Sequence, residues 1–176
     1  MKKNIKPSLK SKIKDDKEYQ EIVADLINDP IVYSMSKFIQ HNDISCYLHC
    51  INVSYHSYLV CKSLGLNYKE AARGGLLHDL FLYDWHITKL EKGMHGFTHP
   101  YKALENSNKY FKLNDIEKDV IVKHMWPLTL KFPRFKEAFI VCFVDKYCAL
   151  METINITNKK KLEILVGKSL IFNEYK

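Results

Sequence analysis

The stretch Gly74-Gly75-Leu76-Leu77-His78-Asp79-Leu80 sets two adjacent ionisable side chains at the end of an apolar run. Burying either of them without a partner costs several kcal/mol. A bound cation is an effective partner, because neutral imidazole and carboxylate then donate lone pairs where water is excluded. The competing reading makes His78 a cationic cap on a helix C-terminus and leaves Asp79 in solvent. The sequence on either side decides between the two.

Working outward, Asn67-Tyr68-Lys69-Glu70 has N-cap and capping-box character and opens a helix that ends at His78-Asp79. Upstream, residues 44–64 contain no Gly or Pro and stop at Gly65, which predicts a long helix joined to the first by a tight turn. Residues 16–28 carry one apolar stripe at Ile22, Val23, Leu26 and Ile27. Asp29-Pro30 then caps and starts a second helix running to Phe38. Downstream, residues 83–98 lack a clean period and hold Gly93 and Gly96, so they read as a loop with one helical turn at most. Thr98 caps a helix over 100–110, and Asn114 with Glu117 caps another that runs to about 125. Pro133 breaks the chain before a long apolar helix over 135–151, and an amphipathic helix follows over 158–172. No segment alternates with period two and nothing repeats, so the fold class is all-α, a single bundle of seven to eight helices.

Length and composition fit this reading. The 176 residues suit one domain with a substantial core. Apolar residues make up 47% and charged residues 27%, as in ordinary globular proteins, and only 6 Gly and 5 Pro argue against a sandwich of short strands. The formal charge of +7 is concentrated at the ends, in an arm over residues 1–15 and in Lys159, Lys160 and Lys161. Such ends can touch nucleic acid or anionic lipid. With no nucleic-acid motif beside them they are taken as solvated, and the helical domain is placed at 16–176. Five cysteines, an odd set inside apolar helical stretches with no secretory leader ahead of them, are expected to be reduced thiols of a cytoplasmic protein. No apolar run approaches the length of a membrane span.

Histidines and aspartates then fall where helices can gather them. His49 shares a face of the long helix with Val53, His56 and Val60, and its level matches that of His78-Asp79 across the turn at Gly65. His99 stands at a predicted helix start and His124 near a helix end, while Asp145 follows Ala138-Phe139-Ile140-Val141-Cys142-Phe143-Val144. A carboxylate in such a run is rarely buried unpaired. In this order, His49, His78-Asp79 and Asp145 resemble the His…His-Asp…Asp signature of the HD-domain superfamily of metal-dependent phosphohydrolases. His99-Pro100 and His124 are similar to the extra histidines of its two-metal subgroup, which includes the HD-GYP phosphodiesterases and the bacterial diadenosine tetraphosphate hydrolases. The resemblance spans residues 44–150. Ser45 replaces the glutamate that precedes the first histidine in some HD-GYP proteins, so two metals and not three are expected. The GYP tripeptide is absent, which argues against cyclic dinucleotides. Leu80-Phe81-Leu82 replaces the glycine-lysine pair that often follows His-Asp.

The resemblance implies two divalent ions, with His49, His78 and Asp145 on the first, His99 and His124 on the second, and Asp79 bridging. Nitrogen and oxygen donors without thiolate suit Fe, Mn or Zn. Two cations about 3.5–4 Å apart acidify a bridging water and clamp phosphoryl oxygens, so the expected reaction is attack by a metal-bridging hydroxide on a nucleotide or other small phosphorylated substrate. Asp79 and His95 are the expected catalytic groups. His86, His95, Lys146, Lys123 and Arg73 are the expected substrate contacts, with Trp85, Phe97 and Trp126 available to stack on a base. Two alternatives share the ligand set: a di-iron HD-type oxygenase and a non-catalytic HD regulator that binds nucleotide and metal. The sequence leaves the metal, the substrate and the oligomeric state open.

Overall fold

The computed structural model describes residues 13, 15–41, 44–85 and 94–153, and these are mostly helical. Helix α1 (Lys17–Ile27) begins where the Asp16 carboxylate accepts from the Tyr19 N–H, and it buries Tyr19, Val23, Leu26 and Ile27. Asp29 caps the short α2 (Pro30–Tyr33), with proline at the start, and the chain tightens into a 3₁₀ turn at Ser34–Lys37. An antiparallel ribbon follows, β1 (Ile39–His41) against β2 (Ile44–Ser45). The sequence predicted no strand; two strands this short contain too few residues to display a period.

Helix α3 (Cys46–Ser63) is the axis of the core. Ser45 caps it by accepting from the Leu48 N–H, and Gly65 ends it at φ +66°, the left-handed conformation that glycine adopts without steric cost. The chain then returns as α4 (Tyr68–Leu77). The predicted buried face through His49, Val53, His56 and Val60 holds only for the first two, since His56 is half-buried and Val60 is exposed. Burial passes instead to Tyr58, whose ring meets Tyr19 of α1 and Tyr68 of α4. The predicted capping box at α4 also fails. Asn67 is the N-cap, but its side chain caps nothing, and a carboxylate from another helix, Glu137, accepts from the Asn67 backbone N–H at 2.9 Å and from Nδ2 at 2.8 Å.

Two glycines set how closely α4 approaches its neighbours. A Cβ on Gly75 would stand 3.1 Å from the Ser54 Cα of α3, and one on Gly74 would stand 2.9 Å from the Val120 Cβ of the helix Asp115–Lys123. A side chain at Gly75 would push the His78-Asp79 end of α4 away from α3, and one at Gly74 would push it away from the helix of Val120.

Helix α5 (His95–Tyr110) starts five residues before the predicted 100. Thr98, the predicted cap, lies within the first turn and its hydroxyl donates back to the Met94 carbonyl. Pro100 sits inside the helix and is buried with His99 and Ala103. A proline this near a helix start removes one hydrogen bond, and packing of the surrounding turn outweighs that loss. Helix α6 (Asp115–Lys123) carries the predicted Asn114–Glu117 capping box with both bonds formed, and α7 (Lys136–Thr153) completes the set. Helix α3 packs on α4 and α7, α4 on α1 and α6, and α6 on α5 and α7. The predicted helix over 158–172 and most of the basic arm lie outside the described residues. All five cysteines are free and buried, and among the described residues no helix is long and apolar enough to cross a membrane.

Candidate metal centre

Five helices or their ends deliver buried histidines and carboxylates to one place. His49 comes from α3, His78 is the C-cap of α4 with Asp79 next to it, His99 lies one turn into α5, His124 is the C-cap of α6, and Asp145 is in mid-α7. Two helix C-termini thus carry ligand-type side chains into the cluster, and the dipole at such ends favours a cation. All six side chains are buried.

Hydrogen bonds fix which imidazole nitrogen is bare. His78 Nδ1 lies 2.8 Å from the Gly75 carbonyl, His99 Nδ1 2.8 Å from that of His95, and His124 Nδ1 2.8 Å from that of Ile121. A carbonyl only accepts, so each Nδ1 carries the proton and each Nε2 is left for another partner. Among the described residues His78 Nε2 has no hydrogen-bond partner, and neither has Asp79 Oδ1. The His99 and His124 Nε2 atoms face each other at 2.8 Å, a separation that a proton or cation between them must relieve. Asp79 Oδ1 is 3.2 Å from His99 Nε2 and 3.4 Å from His124 Nε2, while Oδ2 is 3.5 Å from His78 Nε2. His49, His78 and Asp79 form one group whose donor atoms lie within 4.8 Å of one another, and Asp79, His99 and His124 form a second. Asp79 belongs to both. Asp145 Oδ1 closes the first group at 3.0 Å from His49 Nε2 and 3.6 Å from His78 Nε2.

Charge within the cluster is strongly partitioned. Burial alone would favour neutral His49 and His78, but the carboxylates of Asp145 and Glu152 around His49, and that of Asp79 beside His78, outweigh it and hold both pKa values well above the ordinary histidine value. Burial likewise opposes ionisation of Asp79 and Asp145, and the facing imidazoles overcome it and hold both carboxyls well below the usual range. His124 goes the other way: burial pushes it down to about 3, so it is a neutral base at pH 7. A divalent cation would take the place of the Nε2 protons that these carboxylates favour on His49 and His78, and ionised carboxylates with imidazole nitrogens are the donor set of such a site. The buried, unpartnered His78 Nε2 and Asp79 Oδ1 show that protein atoms alone leave this set unsatisfied, and the residues present could hold metal ions.

Two residues join the cluster without having been predicted. Glu152, two turns beyond Asp145 on α7 and buried, places Oε2 2.8 Å from His49 Nδ1, and Asn52 Nδ2 donates to its Oε1 at 3.1 Å. The seven-residue spacing from Asp145 in an apolar helix was the available signal. Gln40, on the unpredicted ribbon, donates from Nε2 to Asp79 Oδ2 at 2.5 Å; no sequence pattern marks it.

A cavity of about 600 Å³ opens beside the cluster, lined by Asp79, His99, His124 and Asp145 and also by Gln40, Trp85, His95 and Lys146. His95 shares a hydrogen bond between its Nδ1 and the Tyr83 hydroxyl at 2.9 Å, and its ring stacks between Trp85 at 5.1 Å and His99 at 4.5 Å. Arg73 and Lys123 do not line this cavity. Arg73 is bound by Asp25 and Glu117, where it ties α1 to α6 through α4, and Lys123 pairs with Asp119 one turn before it. Both were predicted substrate contacts; carboxylates nearby in the fold claim them instead. Trp126 packs with Phe132, Phe139 and Phe143, and Phe97 is exposed, so of the three aromatics considered Trp85 alone lines the cavity. His86 lies outside the described residues. No family model, curated protein or solved structure matches the chain.

Proposed function

We propose that the protein is a metal-dependent phosphohydrolase of the HD type, acting on a nucleotide or another small phosphorylated substrate. The observation that carries this reading is the pair of buried His/Asp groups sharing Asp79 at the floor of a cavity that also presents Lys146. In this reading His49, His78 and Asp145 hold one cation, His99 and His124 a second, and Asp79 both. Two divalent ions there supply an acidified water and neutralise charge on a phosphoryl group.

The chain's own side chains do the rest. Backbone carbonyls hold His78, His99 and His124 in one tautomer, so their Nε2 atoms are committed before any ligand arrives. Gln40 and the imidazoles fix the Asp79 carboxylate. Lys146 offsets charge on the phosphoryl oxygens. Water adds to phosphorus, the P–O bond to the leaving group breaks, and the departing oxygen takes a proton. With Nδ1–H donating to the Tyr83 oxygen, His95 Nε2 can take the proton that the water gives up and pass it to that departing oxygen.

Metal analysis of the purified protein, followed by phosphate release from a panel of nucleotides and simple phosphate esters with Mn²⁺ or Fe²⁺ added, tests the proposal. Up to two ions per chain and phosphate release lost in Asp79→Ala are expected. Oxygen consumption with C–H cleavage would replace this reading by the di-iron oxygenase. Tight nucleotide binding without any product would replace it by the regulator.

A further inference from the structure

We infer that the cavity selects phosphomonoesters with an apolar or planar organic part over polyphosphates and polyol phosphates, an inference that rests on the phosphohydrolase reading above. Away from the His/Asp floor, the described lining is largely carbon. Met125, Pro127 and Leu128 come from the turn after α6, Ala149 comes from α7, and Trp85 adds an indole. A sugar or other polyol set against these groups would lose hydrogen bonds to water and gain few in return, whereas an aromatic or alkyl group would shed its hydration favourably.

The polar groups above the floor are few and specific. Lys146 is half-buried, and its ammonium donates only to neutral acceptors, the His124 carbonyl at 2.7 Å and the carbonyl and Sγ of Cys142 at 3.3 and 3.1 Å. Among the described residues no carboxylate pairs with it, so its charge is available to one anionic group. Among the described lining residues it is the single Lys or Arg. A di- or triphosphate carries charge that calls for several cationic donors. Gln40 makes the third point: it is 9% exposed, its Nε2 is committed to Asp79, and its buried Oε1 accepts from none of the described residues. A protonated phosphoryl oxygen, or a water held by one, supplies the missing donor. One anionic head beside Lys146 and Gln40, with an apolar body along Met125, Pro127 and Leu128, fits a cavity of this size.

Benzylphosphonate and methylphosphonate carry the same charged head, resist hydrolysis and differ in the organic part. Calorimetric titration of the metal-loaded full chain should show benzylphosphonate binding at least tenfold more tightly than methylphosphonate, and pyrophosphate binding more weakly than benzylphosphonate. Leu128 is half-exposed, so Leu128→Asp should fold and should cut the benzyl-to-methyl ratio tenfold or more; Leu128→Ser is the milder second variant. Equal affinities for the two phosphonates, a ratio unmoved in both variants, or tighter binding of pyrophosphate would overturn the inference while leaving a phosphohydrolase in place. Binding of neither phosphonate to protein whose metal content has been verified would overturn the phosphohydrolase reading, and this inference with it.

Discussion

The imidazole of His49 is held at both ends, by Asp145 Oδ1 at Nε2 and Glu152 Oε2 at Nδ1. For His49 to donate Nε2 to a cation, Nδ1 must keep its proton, and a carboxylate is a stronger anchor for that proton than the backbone carbonyls that serve the other three rings. Glu152→Gln keeps the shape and removes the charge. Metal affinity, measured by competition with a chromophoric chelator, should then fall by roughly tenfold to a hundredfold with the helical content intact; an unchanged affinity would reduce Glu152 to a packing role. His95 invites a different experiment, because it lines the cavity without belonging to either metal-type group. His95→Ala should keep its metal and its fold but turn over at least tenfold more slowly, about 1.4 kcal/mol of transition-state stabilisation. Equal kinetics in metal-replete protein would confine His95 to its ring stack.

Helices matter here for where they stop. His78 and His124 close α4 and α6, and these two ends can approach because Gly74 and Gly75 let α4 lie against α6 and α3. The start of α4 is set by α7, through Glu137 on the Asn67 N–H groups. Burial tends to raise the pKa of Glu137, but the hydrogen bonds from Asn67 prevail and lower it below the ordinary value of 4.5. A folded-state value below the unfolded one adds stability above the unfolded pKa and loses it as pH falls through the folded pKa. Glu137→Gln should therefore cost about 1–2 kcal/mol at pH 7. Denaturant midpoints of the two proteins should converge as the pH drops below about 4.5. At this scale the sequence was readable wherever a signal was local: the stripe of α1, the Asp29-Pro30 start, the Gly65 stop and the Asn114–Glu117 box all appear as read. It misled where a contact from elsewhere took over. Glu137 replaced Glu70 as the partner of Asn67, and a stack of Trp85, His95 and His99 accompanies a helix start ahead of Thr98-Pro100. Nothing in the sequence places Asp25 and Glu117 beside Arg73, whereas the four-residue spacing of Asp119 and Lys123 is the local signal of the pair that occupies Lys123.

Across the whole molecule, the cluster joins segments that are otherwise distant in the chain, His49 to Asp145 across 96 positions and His99 to His124 across 25. Each of α3, α4, α5, α6 and α7 brings at least one side chain to it, whereas the apolar contacts fall into two separate clusters, one around α1, α3 and α4 and a smaller one between α3, α4, α6 and α7. Helix α5 depends most on the cluster, because apart from Ala103 its contribution to the buried apolar core is small and His99 is its link to Asp79 and His124. A cation bound to the folded arrangement and not to the unfolded chain stabilises the fold by mass action, about 2.7 kcal/mol when its concentration is a hundred times Kd. For a domain of this length that corresponds to a rise in Tm of roughly 5–10 °C. Removing metal with a chelator should therefore lower Tm by that amount and restoring Mn²⁺ or Fe²⁺ should recover it. Hydrogen exchange should show the largest loss of protection in α5. Asp79→Ala, which takes away the carboxylate common to both groups, should melt at one temperature with or without chelator. A wild-type Tm insensitive to chelation, in protein shown by elemental analysis to have carried metal, would mean that the helices hold the imidazoles and carboxylates in place unaided and that the ion contributes nothing to the fold.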